Sequence, residues 1–429
     1  MPCMKCRNVV LLSSDLQGFD GGLQTIACTD LSLCIQNTDE DQWYKHDRLA
    51  ASQPVLGVGA FKEIQQALGQ NFNPDGVLAD VPLRSHVRPS STHTYDPMHV
   101  MYANGLFHFE MDCLWKACKD YNIDIMAEMA ELADANWTRP KKRPNSVARN
   151  LAFHKTRAIK DGFTCFASEA IALGPFVLHY VERVLALDDR LTDAVASYKA
   201  YMKLSDLVQA GKLRFDAYTD ADLATASNML YAAAKDHLEK YIRAYGEGCV
   251  KPKHHMSLHL GQQLLRDARV LDCFVHERKH RAMKAGASSV TNPQRYERSV
   301  LQRVVVDQMK SLEKEITPQC LVGKRILCPE FGPNVWMALA VDYNHCETHA
   351  GDVVYIDGML VLCEAAIESE ILGHALVVRR LAPLVQLSGS TQRCRLDDDF
   401  ATVDLSSNPE IRHAAFWAYE TAKQLLVVS

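Results

Sequence analysis

Val353-Val354-Tyr355-Ile356-Asp357-Gly358-Met359-Leu360-Val361-Leu362-Cys363 decides the class of this protein. Two β-branched and aliphatic runs flank Asp-Gly, a pair that tolerates positive φ at both central positions of a two-residue hairpin. Strand-like runs surround it at Val335 to Tyr343 and Ala375 to Leu381. Residues 317–429 are therefore expected to form a small β-barrel-like domain. Pro318 closes the stretch before it.

Upstream the period changes. Leu106, Phe109, Leu114 and Ala117 recur at helical spacing. Further helices are expected near 123–133, 166–187, 193–210, 220–245, 257–284 and 293–316, with Gly246 ending the one before it. A helical domain over 96–316 follows. Residues 1–95 read as a loop-rich module with a strand-like piece at Asn8 to Leu12, a short helix around Phe61 to Leu68 and a turn at Asn73-Pro74-Asp75-Gly76. The class is α+β.

The chain has 429 residues, 48% of them hydrophobic and 23% charged, with a net charge of -5. These are globular values that exclude wholesale disorder. The charge argues against a protein that coats DNA generally and leaves room for a local basic face. No apolar run of about 18 residues stands out, so no membrane span is expected. The start carries no apolar signal stretch. The 14 scattered cysteines are expected to be reduced thiols, in cytosol or nucleus, with some available to a metal.

Four segments could carry chemistry. Cys3-Met4-Lys5-Cys6 can turn two thiolates toward one zinc ion, with Cys28, Cys34, His93, Asp96 and His99 as candidates for the remaining ligands. Asp96-Pro97-Met98-His99 opens a helix, where Asp96 suits an N-cap and Pro97 the first position. That explanation leaves His99 unaccounted for. Lys251-Pro252-Lys253-His254-His255-Met256-Ser257-Leu258-His259 and His276-Glu277-Arg278-Lys279-His280 each place histidines four apart, on one helix face. A solvated basic face is the plain explanation of both. The second also spells the H-e-x-x-H pattern of zinc peptidases, although Arg278 and Lys279 stand where such enzymes face an apolar core. Finally, Arg139, Lys141, Lys142, Arg143, Arg149, Lys155, Arg157 and Lys160 lie in one stretch without an acid. Phosphate contact, a nuclear-import signal or an ordinary exposed linker would each explain it.

Taken in order, Cys-x-x-Cys, Asp-Pro-Met-His, a long helical stretch, Lys-Pro-Lys-His-His and Phe-x-x-Glu-x-Lys-His resemble transposases of the CACTA and Kyakuja–Dileera–Zisupton type over roughly residues 1–290. The resemblance implies a partial RNase H-like fold with residues 100 to about 250 as a helical insertion. It makes Glu277 the third catalytic acid, with Lys279 and His280 in its flank. It implies a zinc site of Cys3, Cys6, Asp96 and His99, and DNA contacts through the 139–157 cations and Lys279. In such enzymes the first two acids precede the Cys-x-x-Cys, which begins here at residue 3. An inactive remnant that keeps DNA or protein binding is therefore expected, with Mg only if those acids were restored. The alternatives are a zinc hydrolase using His276, Glu277 and His280, and a helical scaffold whose C-terminal domain docks a protein partner in a groove lined by Trp336, Tyr343 and Tyr355.

Overall fold

The computed structural model describes residues 3–11, 22–134, 163, 165–212, 219–271, 273, 302, 305–306, 309, 319–329, 332, 334–343, 346–369, 373–387, 391–407, 409–414, 416–421 and 424–428. It is a mixed helix-and-sheet protein that divides into two compact units. One comprises 1–123, 161–170 and 188–273, and the other 124–160, 171–187 and 274–429.

The first unit opens with a two-residue parallel pair, β1 (Val9–Val10) and β2 (Gln24–Thr25). Helix α1 (Asp39–Ser52) starts in a capping box between Thr38 and Asp41. Its apolar positions are too few to give a helical period in the sequence. Helix α2 (Val58–Leu68) ends at Gly69 in the left-handed conformation. The helix that Asp96-Pro97-Met98-His99 is expected to open is split. A π-turn, Met98–Tyr102, is followed by Asn104 at φ +48°, and α3 (Leu106–Asp120) begins after Gly105. Gly105 is required there, since a Cβ would collide with the Val100 carbonyl and sit 2.7 Å from the Met101 carbonyl carbon.

Helices α4 (Ile125–Asp134) and most of α5 (Ala167–Arg183) belong to the second unit; α6 (Thr192–Ala210), α7 (Asp220–Tyr245), α8 (Pro252–Leu258) and α9 (Leu260–Asp267) return to the first. Helix α9 lies close on α7. A Cβ on Gly261 would stand 2.6 Å from the Ser227 carbonyl oxygen, and the Ser227 hydroxyl donates to the Gly261 carbonyl at 2.8 Å. The seam of α3, α6 and α7 buries Phe107, Leu114, Tyr198, Tyr201, Leu238 and Tyr241. Within it Glu110, fully buried, accepts hydrogen bonds on one carboxylate oxygen from Ser197 (2.7 Å) and His237 (2.6 Å).

In the second unit, Ala167–Leu187 is apolar and long enough to meet the composition of a membrane span, contrary to the sequence expectation. Half of the stretch is buried, with Leu173, Phe176, Val177 and Tyr180 turned inward as in a core helix. His179 Nδ1 shares a 2.8 Å hydrogen bond with the Thr391 hydroxyl, and burial pushes its pKa down to about 4. An imidazole kept neutral in the fold but ordinary when unfolded gives stability that is full above about pH 6.5 and declines toward pH 4. Acidification from pH 7 to 5 should therefore cost about 2 kcal/mol through this residue. Denaturant midpoints of the wild type and His179→Leu at the two pH values check this, and equal pH dependence in both would refute it.

The sheet strands of this unit are β3 (Gln319–Val322), β4 (Ile326–Leu327), β5 (Trp336–Ala338), β6 (Ala340–Tyr343), β7 (Cys346–His349), β8 (Val353–Ile356), β9 (Met359–Ser369), β10 (Gly373–Gln386), β11 (Thr391–Asp404), β12 (Ile411–His413), β13 (Phe416–Thr421) and β14 (Gln424–Val428). The hairpin reading holds. Ile356 pairs with Met359 across Asp357 and Gly358, at φ +48° and +80°. The main sheet runs β12-β8-β9-β10-β11-β14-β13, with β5 on β9 and β4 on β5, and β3-β6-β7 form a separate sheet. The barrel expectation is corrected: among the described residues β12 and β13 end the path as edges that do not pair with each other, so no barrel closes there. Bulges bend β10 near Arg379 and Pro383. The expected aromatic groove is also absent. Tyr343 and Tyr355 pack into different apolar clusters, while Trp336 is exposed on β5.

Candidate metal centre

The Cys-x-x-Cys turn is fixed by polar groups around it. Met4 donates its N–H to the Tyr95 hydroxyl at 2.9 Å. Its carbonyl accepts from Asn37 Nδ2 (2.7 Å) and Gln42 Nε2 (2.9 Å), and the Asn37 N–H donates to the Lys5 carbonyl. These partners are themselves buried, Gln42 completely. Both thiols point inward, with Cys3 2% and Cys6 0% exposed.

The groups that meet them come from the far end of the unit. Pro252 occupies the first turn of α8, where its missing N–H is not needed. Lys253 donates to the carbonyls of Ala103 (2.9 Å) and Asn104 (2.8 Å), anchoring the helix start. His255 and His259 then fall one turn apart, both fully buried. His259 Nε2 lies 3.5 Å from Cys3 Sγ, 3.4 Å from Cys6 Sγ and 3.4 Å from His255 Nε2. All four ligand atoms lie within 4.8 Å of one another. A tetrahedral zinc ion with arms of 2.0–2.3 Å needs ligand separations of about 3.3–3.8 Å. The group can hold a metal ion, and its separations suit zinc.

The surroundings select the ligating atoms. His259 Nδ1–H donates to Gln262 Oε1 at 2.9 Å, which leaves Nε2 free for the metal. The Tyr95 hydroxyl lies 3.0 Å from Cys3 Sγ and can donate to its thiolate. Tyr95 is held in turn by the Gln263 amide, which accepts from its N–H (2.6 Å) and donates to its carbonyl (2.9 Å). Burial pushes the Cys3 thiol up, but hydrogen bonds from Cys6, His255 and His259 outweigh it and hold Cys3 down. Cys6, bonded to Cys3 and Cys34, is pushed up.

Asp96 and His99, expected as the other two ligands, are engaged elsewhere. They bond to each other, and Asp96 also accepts the N–H groups of Met98 (3.1 Å) and Cys273 (3.0 Å). Burial raises the Asp96 carboxyl, yet these hydrogen bonds leave it net below the usual range. Asp96 is the cap of the turn that its position suggested, and His99 is exposed. It is the neighbouring Tyr95 that reaches the centre. Cys34 touches Cys6, and Cys28 touches Cys34, behind the four-ligand group. His93 packs edge-on against Tyr95. His254, next to the ligands, stacks on Phe109 and His237 and packs at a tilt against Tyr241, and burial depresses its pKa well below the usual value. Glu277, His276, Lys279, His280 and the cations Arg139, Lys141, Lys142, Arg143, Arg149, Lys155 and Arg157 lie outside the described residues.

His255 and His259 are signalled in the sequence by His-x-x-x-His, a spacing that a solvated basic face explains equally well. Only burial distinguishes the two. No known protein family, curated protein or solved structure matches the chain.

Proposed function

We propose that this is a transposon-derived protein of the cut-and-paste DNA transposase type, in which a structural zinc ion held by Cys3, Cys6, His255 and His259 ties the segment before a helical insertion to the segment after it. The observation that carries the zinc assignment is the set of 3.4–3.5 Å separations around His259 Nε2 inside a fully buried pocket. Four protein ligands close the coordination shell and leave no position for water, which is the mark of a structural rather than a catalytic zinc.

The clasp also supports the transposase reading. In the resemblance, the insertion of residues 100 to about 250 lies between the Cys-x-x-Cys with its Asp-x-x-His signature and the third acid. Here the metal ligands join the Cys-x-x-Cys, upstream of that insertion, to His255 and His259 just after it, the second of them 18 residues before Glu277. A zinc ion at this crossing would fix where the returning chain delivers Glu277 relative to an RNase H-like core. DNA is the partner on this reading, met through the 139–157 cations and Lys279, in a nuclear or cytoplasmic setting.

Cobalt replacement tests the centre. Titrating Co²⁺ into metal-free protein should give the intense visible bands of a tetrahedral thiolate–imidazole site, saturating at one ion per chain. His99→Ala should leave the spectrum unchanged, and His255→Ala should abolish it. A weak octahedral spectrum, or loss of the bands in His99→Ala alone, would reject this ligand set.

A further inference from the structure

Helix α3 turns one face toward α7 and α8. Phe109 and Cys113 lie four residues apart on that face. The Phe109 ring stacks on His254 of α8 at 5.5 Å, and the Cys113 thiol meets Tyr241 of α7. Tyr241 holds a second cysteine at the same hydroxyl. It donates to the Cys249 carbonyl at 3.3 Å, which leaves its oxygen to accept the Cys113 S–H at 3.2 Å. The two cysteine side chains also hydrogen-bond to each other. More than 130 residues separate them in the chain, yet both belong to the first unit.

The surroundings suit a bond between the two sulfurs. Disulfide formation draws touching sulfurs to about 2 Å, so one side of the pair must give a little. Cys249 ends the short turn Glu247–Cys249 between α7 and α8. A Cβ on Gly246 or Gly248 would meet nothing within 4 Å, so the turn has room to shift. Gly246, Glu247 and Gly248 are exposed and Cys249 is half-buried, which opens this end of the pair to a small reagent. Burial pushes the Cys113 thiol up to about 11, so it stays protonated at neutral pH and suits the second step of an exchange rather than the first. Cys28 and Cys34 are another touching pair. There, however, both thiols donate to the Asp30 carbonyl and Cys34 also touches Cys6 of the metal centre. Cys113 and Cys249 stand apart from the four ligands.

We infer that Cys113 and Cys249 form a reversible disulfide by exchange with the disulfide of a small thiol, such as oxidised glutathione. The Cys249 thiolate attacks one glutathione sulfur, making a mixed disulfide and releasing one glutathione thiolate. Cys113 then attacks the Cys249 sulfur, and its proton passes to the second departing glutathione thiolate. The two cysteines together lose two electrons and two protons, and one glutathione disulfide becomes two glutathiones. The product ties α3 to the turn that leads into α8, closing covalently a seam that otherwise rests on Phe109, Tyr241 and His254. The inference does not depend on the metal assignment.

The test equilibrates the full-length protein with reduced and oxidised glutathione, quenches by alkylation and maps the peptides by mass spectrometry. Oxidised wild type should yield a linked peptide pair, Cys113 to Cys249, lighter by two hydrogens, with the zinc content unchanged. Closing so long a loop should raise the melting midpoint by about 5–15 °C over the reduced form. Cys113→Ser should stop at glutathione on Cys249 and lack that rise. Cys249→Ser, a change in the half-buried turn, should form neither the link nor a mixed disulfide at Cys113. Oxidised wild type without the Cys113–Cys249 peptide, or with Cys28 linked to Cys34 in its place, overturns the inference. So does a Cys113→Ser chain that gains the same rise on oxidation.

Discussion

A His259→Ala chain is expected to purify without stoichiometric zinc and to melt roughly 10 °C below wild type. The histidine is the centre's meeting point, 3.4–3.5 Å from each of the other three ligand atoms for which a contact exists. Structural zinc binding is coupled to folding, so a centre occupied at about a thousandfold excess over its dissociation constant contributes about 4 kcal/mol. In a unit of this size each kcal/mol moves the midpoint by about 2–4 °C. Chelation supplies the control. A strong chelator should bring wild type down to the His259→Ala midpoint and leave the variant where it was. Should the variant keep its zinc, or wild type ignore the chelator, the clasp does not exist. Gln262→Ala should give a weaker version, with metal affinity down about 10- to 100-fold, because it only frees the His259 ring to turn.

Glu110→Ala should destabilise the helical unit by about 3–5 kcal/mol, the range found when one partner of a buried ion pair is removed. Glu110 and His237 are both fully buried, and the Ser197 hydroxyl shares the same carboxylate oxygen. Truncation leaves two donors without an acceptor and a cavity where α3, α6 and α7 meet. Urea denaturation reads the effect as a lower midpoint at unchanged slope. A shift worth less than about 1 kcal/mol would mean that water or repacking replaces the carboxylate. Glu110→Gln separates charge from shape. It keeps the acceptor oxygen, so a small loss indicates a neutral hydrogen-bonded pair and a loss near that of alanine an ionised one.

Much of the architecture could be read from local residue patterns, because helices and hairpins are set by neighbours in the chain. Asp357-Gly358 turned as its two positive-φ positions required. The helices expected at 193–210 and 220–245 run from Thr192 to Ala210 and from Asp220 to Tyr245, the second bounded by the Thr219–Asp222 capping box and Gly246. The patterns failed where non-local contacts rule. The helix expected from 257 is broken at His259, which ends α8 and precedes α9. The strands β11, β13 and β14 gave little local signal, being defined by their partners.

From the sequence alone, Cys3 and Cys6 were a pair of thiolates awaiting two ligands, and His255 and His259 a pair of imidazoles on one helical turn, since spacings of three and four residues fix which side chains share a face. Which pair met which was a tertiary matter. More than 240 residues separate the two halves, and only the packing of Tyr95, Gln262 and Gln263 between them brings the four atoms to one point while Asp96 and His99 satisfy each other. The carboxylate–imidazole pair at the turn was equally legible as a ligand set, and burial decided between them: a zinc ion is held where its ligands are kept from water, and that is a property of the fold.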